Sequence, residues 1–367
     1  PASRHEPITP GTTPTMRHVA RLLIIALIAA GGWLGWQQYE LLQQPFQGWS
    51  GAEQFVDIDP GTGTRAIGQR LIDGGVVADA LTWRVALWRR ADATRLEAGE
   101  YRFDRPMRVD EVIGRLVRGD VYLRSITIPE GLTIRQMARA FADAGFGPAR
   151  DFEQAAGDVS LVSDSDRSAR DLEGYLFPDT YALPRRAAAD DLVRLMMARF
   201  KPVFGDDLQR AAAARGLTVR QAVTIASLVE KETARPDERP VVAAVYHNRM
   251  AKRMGLQCDP TVIYALERAN RYTGNLTKAD LTFDSPYNTY RYAGLPPGPI
   301  ASPGRSALEA AVRPAPVNYL YFVSRNDGSH AFAATLSEHN KNVFTYQVQY
   351  FRGQRTRPRA APACHGR

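Results

Sequence analysis

Residues 218–233, TVRQAVTIASLVEKET, decide how the rest of the chain is read. Thr218 can cap a helix while Gln221 reaches back to its amide, the reciprocal pattern of a capping box. At about 100° per residue, Val219, Ala222, Val223, Ala226 and Val229 line up as one apolar stripe. Glu230 follows Ala226 by one helical turn and Val223 by two, which carries its carboxylate into the middle of that stripe. Lys231 and Glu232 are expected to point well away from it.

A carboxylate facing a core must be paired, hydrogen-bonded or protonated, because a bare buried charge costs several kcal/mol. Desolvation also raises a carboxyl pKa, which is what a general acid needs near neutral pH. Periodicity alone leaves three readings of Glu230: a catalytic acid, a buried salt bridge to Arg249 or Arg253 on the next helix, or exposure at the rim of the fold. Ser227, one turn earlier, has no nucleophile-elbow context, so a serine hydrolase is the weaker idea.

Upstream of this helix the sequence sets a location. LLIIALIAAGGWLGW (22–36) carries no charge, with Arg17 and Arg21 before it and Trp33, Trp36 and Tyr39 at its far end. Together with residues 19–21 it predicts a single transmembrane anchor over 19–38. Arginines on one side and an aromatic belt on the other place the N-terminus (1–18) in the cytoplasm and everything after about residue 40 outside. Ala29-Ala30-Gly31-Gly32 also offers a cleavable signal peptide, but the apolar run continues through Trp36 and favours a retained anchor.

The 367 residues, 44% hydrophobic, suffice for two compact modules with tails. The formal charge of +8 is concentrated at the ends, in Arg4, Arg17 and Arg21 against Glu6, and in Arg352, Arg355, Arg357, Arg359 and Arg367. The body is nearly neutral, which argues against a nucleic-acid groove. Cys258 and Cys364 are expected to be free, since two cysteines build neither a disulfide framework nor a zinc cluster. His330 and His339 lack helix-spaced partners, so no metal and no cofactor is predicted.

After a linker (39–52), a strand–turn–helix unit occurs twice, at PGTGTRAIGQRL (60–71), expected to start its helix at a Thr cap, and at ITIPEGLTIRQMARAF (126–141). Thr133 and Gln136 make a capping box in the second, and Gly145 closes it. LEAGEYRF (96–103) reads as a strand and residues 109–117 as a short helix. The reading is therefore α+β: a small module over 53–150, a connector over 151–170, and a mixed α+β domain over 171–350. A strand pair (319–323 and 330–333) turns at Asn326-Asp327-Gly328, and a disordered basic tail occupies 351–367.

ASLVEKET (226–233), Asn248-Arg249, LQCDPTVIYAL (256–266), SPYNTY (285–290), GLPPGPIASPG (294–304), NYLYFV (318–323) and EGYLFPDTY (173–181) occur in this chain. With these motifs, and with its single N-terminal span, the chain resembles the endolytic murein transglycosylase, or YceG-like, family from about residue 55 to 350. The resemblance implies a LysM-like module over 53–150 and a YceG-like catalytic domain. It implies cleavage of the MurNAc-β-1,4-GlcNAc bond within peptidoglycan strands to leave 1,6-anhydro-MurNAc ends, terminating nascent strand elongation at the bacterial inner membrane.

Glu230 matches the family's catalytic Glu. Glu173, Gln257, Asp259, Tyr264, Asn288 and Tyr290 fall in matching motifs and are expected around the groove, Tyr264 and Tyr290 to orient Glu230 or stack on a ring. Cys258 stands where Thr is expected. Glycan strands and peptidoglycan synthases are the implied partners. Two rivals stay open: a hydrolytic muramidase, which needs a second carboxylate such as Glu173, Asp259 or Asp284 opposite Glu230, and a non-catalytic glycan-binding scaffold.

Overall fold

The computed structural model describes residues 14–90 and 95–352 of the chain. Most of the expected tails, with Cys364, lies outside the described residues. The fold divides into two compact units, Pro1–Arg124 and Ser125–Arg367.

In the first unit, helix α1 (Pro14–Gln43) contains a segment, His18–Gln43, long and apolar enough to cross a membrane. Its apolar side chains from Leu22 to Trp36 are exposed. The helix outruns the expected span of 19–38 because its last turn is anchored: Leu42 joins a buried cluster with Val56, Ile67, Trp83, Tyr101 and Phe103. Strands β1 (Gln54–Ile58) and β2 (Gly99–Phe103) pair antiparallel with Val56 opposite Tyr101. Helices α2 (Thr64–Asp73), α3 (Ala80–Arg89) and α4 (Val109–Arg118) complete the unit.

The N-cap of α2 is Gly63, without a side-chain cap bond, rather than the expected Thr. The Thr62 hydroxyl instead donates to the Asp59 carbonyl within the preceding turn, at 2.7 Å. Helix α3 is capped by Asp79, which accepts from the Leu81 and Thr82 amides at 2.8 Å. Periodicity does not mark α3, because Leu81 and Trp88 on it are exposed and blur any apolar stripe.

Strand β3 (Leu123–Thr127) carries the chain into the second unit and pairs with β4 (Thr180–Pro184). Helices α5 (Ile134–Asp143) and α6 (Ala149–Ala155) follow β3. The expected capping box at Thr133 and Gln136 is present, with both reciprocal bonds. Division at Arg124 rather than residue 150 has a packing cause: Met137, Phe141 and Phe152 share one core with Leu172, Tyr175 and Leu176. The stretch 151–170 is packed too, contributing Phe152, Ala155 and Val162.

Helices α7 (Ala189–Val203), α8 (Asp206–Ala214), α9 (Val219–Glu232), α10 (Arg239–Ala251), α11 (Asp259–Arg268) and α12 (Arg305–Val312) build the body of this unit. The hairpin β5 (Tyr321–Ser324) and β6 (His330–Ala333) pairs Phe322 with Phe332 and turns through Asn326 at φ 65°. Helix α13 (Leu336–Val343) follows it.

Helix α9 is the centre of the unit. Every residue from Ala222 to Val229 is buried, so the single apolar stripe read from the sequence understates its burial. Helix α12 lies along α9 and presents Ala307, Ala310 and Ala311, all buried, whose small side chains permit close approach.

The first unit depends on one close contact: a Cβ on Gly68 of α2 would overlap the indole of Trp83, which donates from Nε1 to the Thr64 carbonyl at 2.9 Å. Gly68→Ala is expected to destabilise this unit by about 1–3 kcal/mol, the usual cost of overpacking a core. Urea denaturation checks this, and an unchanged midpoint would show that the helices separate freely.

Candidate active site

Three backbone segments converge at the C-terminal end of α9. Helix α10 begins at Arg239 with Pro240 in its first turn, so the Arg239 side chain meets the last turn of α9. The loop before α5 brings Glu130 and Gly131, and the segment 294–304 runs beside α9 to the start of α12. Arg220 donates to the Pro297 carbonyl at 2.7 Å, the Ile300 amide donates to Ser227 Oγ at 3.1 Å, and the Gly304 amide donates to Glu230 Oε2 at 3.0 Å. The last two loops are tied together, Gly131 donating to the Ser302 carbonyl and Ser302 to the Leu132 carbonyl.

Glu230 is therefore held at both oxygens. Oε1 accepts from Arg239 Nη2 at 2.8 Å, and the side chains of Glu230 and Arg239 are only 6% and 8% exposed. The ion pair is made with Arg239 rather than with Arg249 or Arg253, which the alternative reading named. Arg249 instead donates to the Leu320, Gly255 and Leu256 carbonyls. Sequence spacing cannot tell these arginines apart, because the choice depends on where α10 starts.

Burial raises the Glu230 pKa above the ordinary glutamate value. The Gly304 amide, Arg239 and Lys231 pull it down, the Glu130 charge pushes it up, and the net direction is upward. Lys231 bonds the Gly131 carbonyl at 3.1 Å and so pins the loop over the site. A carboxyl in this setting holds a proton more readily than an ordinary glutamate and, once it has given it up, is stabilised as the anion by a guanidinium and a helix N-terminus.

Glu232 points away from Glu230, as expected, but toward a second enclosed polar group. It accepts from Tyr246 Oη at 3.0 Å and lies beside the Cys258 thiol, and burial raises its pKa as well. Because α9 is enclosed on several sides, a second carboxyl on it is buried where one packed face would have left it exposed. Burial also pushes the Cys258 thiol up, so it stays protonated and can donate to Glu232. Ser227 is buried and donates to the Thr224 carbonyl at 2.7 Å, a structural arrangement.

Of the other residues singled out from the sequence, four form two pairs and the rest stand apart, and none is hydrogen-bonded to Glu230. Tyr264 donates to Glu173 at 3.1 Å, and the Ile134 amide donates to the same carboxyl at 3.1 Å. With Arg268 and Thr133 they line a cavity of about 340 Å³. Tyr290 donates to Asp259 at 2.5 Å. Asn288, fully buried, spends its amide on the Leu281 and Phe283 carbonyls. Gln257 is exposed, with φ at 50°. Asp284 pairs with Tyr292 and Arg291.

The orientation of Glu230 thus comes from Arg239 and Gly304, not from Tyr264 or Tyr290. Sequence reasoning missed Glu130, Arg239 and Gly304. Glu130-Gly131 and Pro303-Gly304 were visible as turn signals, but nothing local ties either to Glu230. His330 bonds Glu238 at 2.7 Å, and His339 stacks on Tyr321.

A buried carboxyl whose pKa is raised by burial, and whose oxygens are fixed by a guanidinium and a helix-terminal amide, is an arrangement suited to acid–base chemistry. The chain belongs to the YceG-like family, whose sequence pattern matches residues 56–345. It is 32% identical over 302 residues to the endolytic murein transglycosylase of Bacillus subtilis, spanning 78% of this chain and 82% of that protein. To the endolytic murein transglycosylase of Streptococcus pneumoniae it is 30% identical over 361 residues, spanning 89% of this chain but 64% of that protein. A crystal structure of a yceG-like protein from Listeria monocytogenes superposes with a TM-score of 0.54 at 31% identity, covering 80% of this chain and 99% of that one.

Burial, reinforced by nearby Asp171, raises the Glu173 pKa to about 8. A carboxyl held protonated in the fold but ionised in the unfolded chain contributes stability that is complete below the unfolded pKa and is lost as pH rises to the folded one. The wild type should therefore lose thermal stability between about pH 4.5 and pH 8. Glu173→Gln should flatten that decline, as followed by circular dichroism melts across the range; parallel declines in the two proteins would contradict it.

Proposed function

We propose that this chain cuts the MurNAc-β-1,4-GlcNAc bond inside peptidoglycan strands, leaving 1,6-anhydro-MurNAc ends, with Glu230 as the acid and then the base. The observation that carries this reading is the Glu230 side chain, 6% exposed and anchored at each oxygen, within a family whose named relatives are endolytic murein transglycosylases. Glu230 protonates the glycosidic oxygen as the bond to C1 breaks. The MurNAc C6 hydroxyl attacks C1 and gives its proton to the Glu230 carboxylate, so the acid is regenerated and no water is consumed. An intramolecular nucleophile replaces the second catalytic carboxylate of ordinary glycosidases.

The hydrolytic rival calls for a second carboxylate across the scissile bond. Glu173, Asp259 and Asp284 are committed to other partners. Glu130 does approach Glu230, but both contact the same Arg239 nitrogen, at 3.4 and 2.8 Å. That nitrogen occupies the gap a sugar would need between flanking carboxyls, which favours the single acid–base residue.

The apolar helix supports anchoring in a membrane. Arg17 and Arg21 before it and its aromatic far end support an N-in, single-pass topology in the bacterial inner membrane, with the catalytic unit outside the cytoplasm. Glu173, Gln257, Asp259, Tyr264, Asn288 and Tyr290 are proposed to shape or line the glycan groove, and the module of the first unit to be LysM-like and to face glycan. Release of nascent strands beside peptidoglycan synthases is the role that fits this placement.

Incubation of the protein with purified peptidoglycan should release internal fragments with 1,6-anhydro-MurNAc ends, detected by mass spectrometry. Glu230→Gln should lower the rate by about 10²–10⁴-fold, the usual contribution of a general acid, with the melting profile retained. Reducing ends would mean a hydrolase, and full activity in the variant would point to another acid or to a scaffold.

A further inference from the structure

Two demands on Glu230 oppose each other. A general acid must hold a proton, yet a 2.8 Å contact to Arg239 and a helix-terminal amide both favour the ionised form. The geometry around Arg239 reconciles them. Its Nη2 also contacts Glu130 Oε2 at 3.4 Å, and its Nε is buried without a hydrogen-bond partner. The guanidinium therefore engages Glu230 through one nitrogen, not as a two-bond fork, and shares that nitrogen with a second carboxylate.

Gly304 makes the sharing possible. Its amide holds Glu230 Oε2, and a Cβ at this position would overlap the Glu130 carboxyl. The two carboxyls thus converge on one guanidinium nitrogen and one glycine.

We propose that Glu130 is a positioning residue that divides Arg239 between two carboxyls and so keeps the catalytic proton on Glu230. The proposal rests on Glu230 being the acid. The groups facing Glu230 are Arg239 from α10, Glu130 from the loop before α5, the Gly304 amide from α12 and Lys231 on its own helix. The proton goes to Glu230 because its side chain is 6% exposed while that of Glu130 is 48% exposed. Water stabilises the charge on Glu130 and not on its neighbour.

The test is the pH dependence of kcat/KM on purified glycan strands, measured on the full chain, with a carbon-13 titration of the Glu230 carboxyl assigned by its loss in Glu230→Gln. In Glu130→Gln, Arg239 is left to Glu230 alone. The alkaline limb and the Glu230 titration should both move to lower pH by roughly one unit, the scale of a close charge interaction. Glu130→Asp should restore part of the shift.

Gly304→Ala changes no charge and suits the observed backbone at φ −76°, but displaces Glu130, so it should move the limb the same way by less. A pH-independent loss of rate with limb and titration unmoved would overturn the proposal. If the titration moves while Glu230→Gln keeps full turnover, the coupling stands and the reading of Glu230 as the acid falls.

Discussion

The second unit is organised by the need to bury α9 and still satisfy the polar groups it carries. A helix whose residues 222–229 are all buried cannot leave Arg220, Ser227 or Glu230 without partners, because each unpaired polar atom in the interior costs free energy. The segment 294–304 answers that need, meeting Arg220 by a carbonyl and Ser227 and Glu230 by amides. The proline and glycine richness of GLPPGPIASPG suits an extended segment that must lie flat against a helix and present its backbone. Site and core are consequently one construction.

Charge placement follows the same logic. Arg220 is paired with Asp166 at 2.9 Å, and Asp166 also accepts from Tyr175. At the other end of α9, Glu232 is satisfied by a phenol and a thiol. Among the polar side chains of α9, Glu230 is the one that combines a charged partner, a helix-terminal amide and a second carboxylate nearby. Polar groups that are fully satisfied stiffen a fold, whereas one whose partner is contested can change its protonation state at low cost, and chemistry requires the second kind.

The Glu173 group shows the contrast. Its donors are an amide and a phenol with Arg268 beyond, and burial outweighs them in setting its protonation. Glu173 joins the first residue of α5 to α11, so the loop that brings Glu130 to Glu230 is also fixed where it enters α5. The position of Glu130 is in this way inherited from packing well away from it.

Much of this chain was legible locally. The capping boxes at Thr133 and Thr218, the hairpin at Asn326-Asp327-Gly328 and the apolar N-terminal helix follow from short-range rules, because caps, turns and apolar runs are set within a few residues. Glu230 was legible for the same reason: helical period alone puts it among Ala226, Val223 and Val229. What escaped was every relation between distant segments. That Arg239 and not Arg249 pairs with Glu230, that Gly304 donates to it, that Glu130 shares its cation and that the Glu232 carboxyl meets Tyr246 are consequences of how α10, α12 and the loop before α5 pack around α9. Periodicity specifies the direction of a side chain from its own helix; only tertiary packing decides what stands there to receive it.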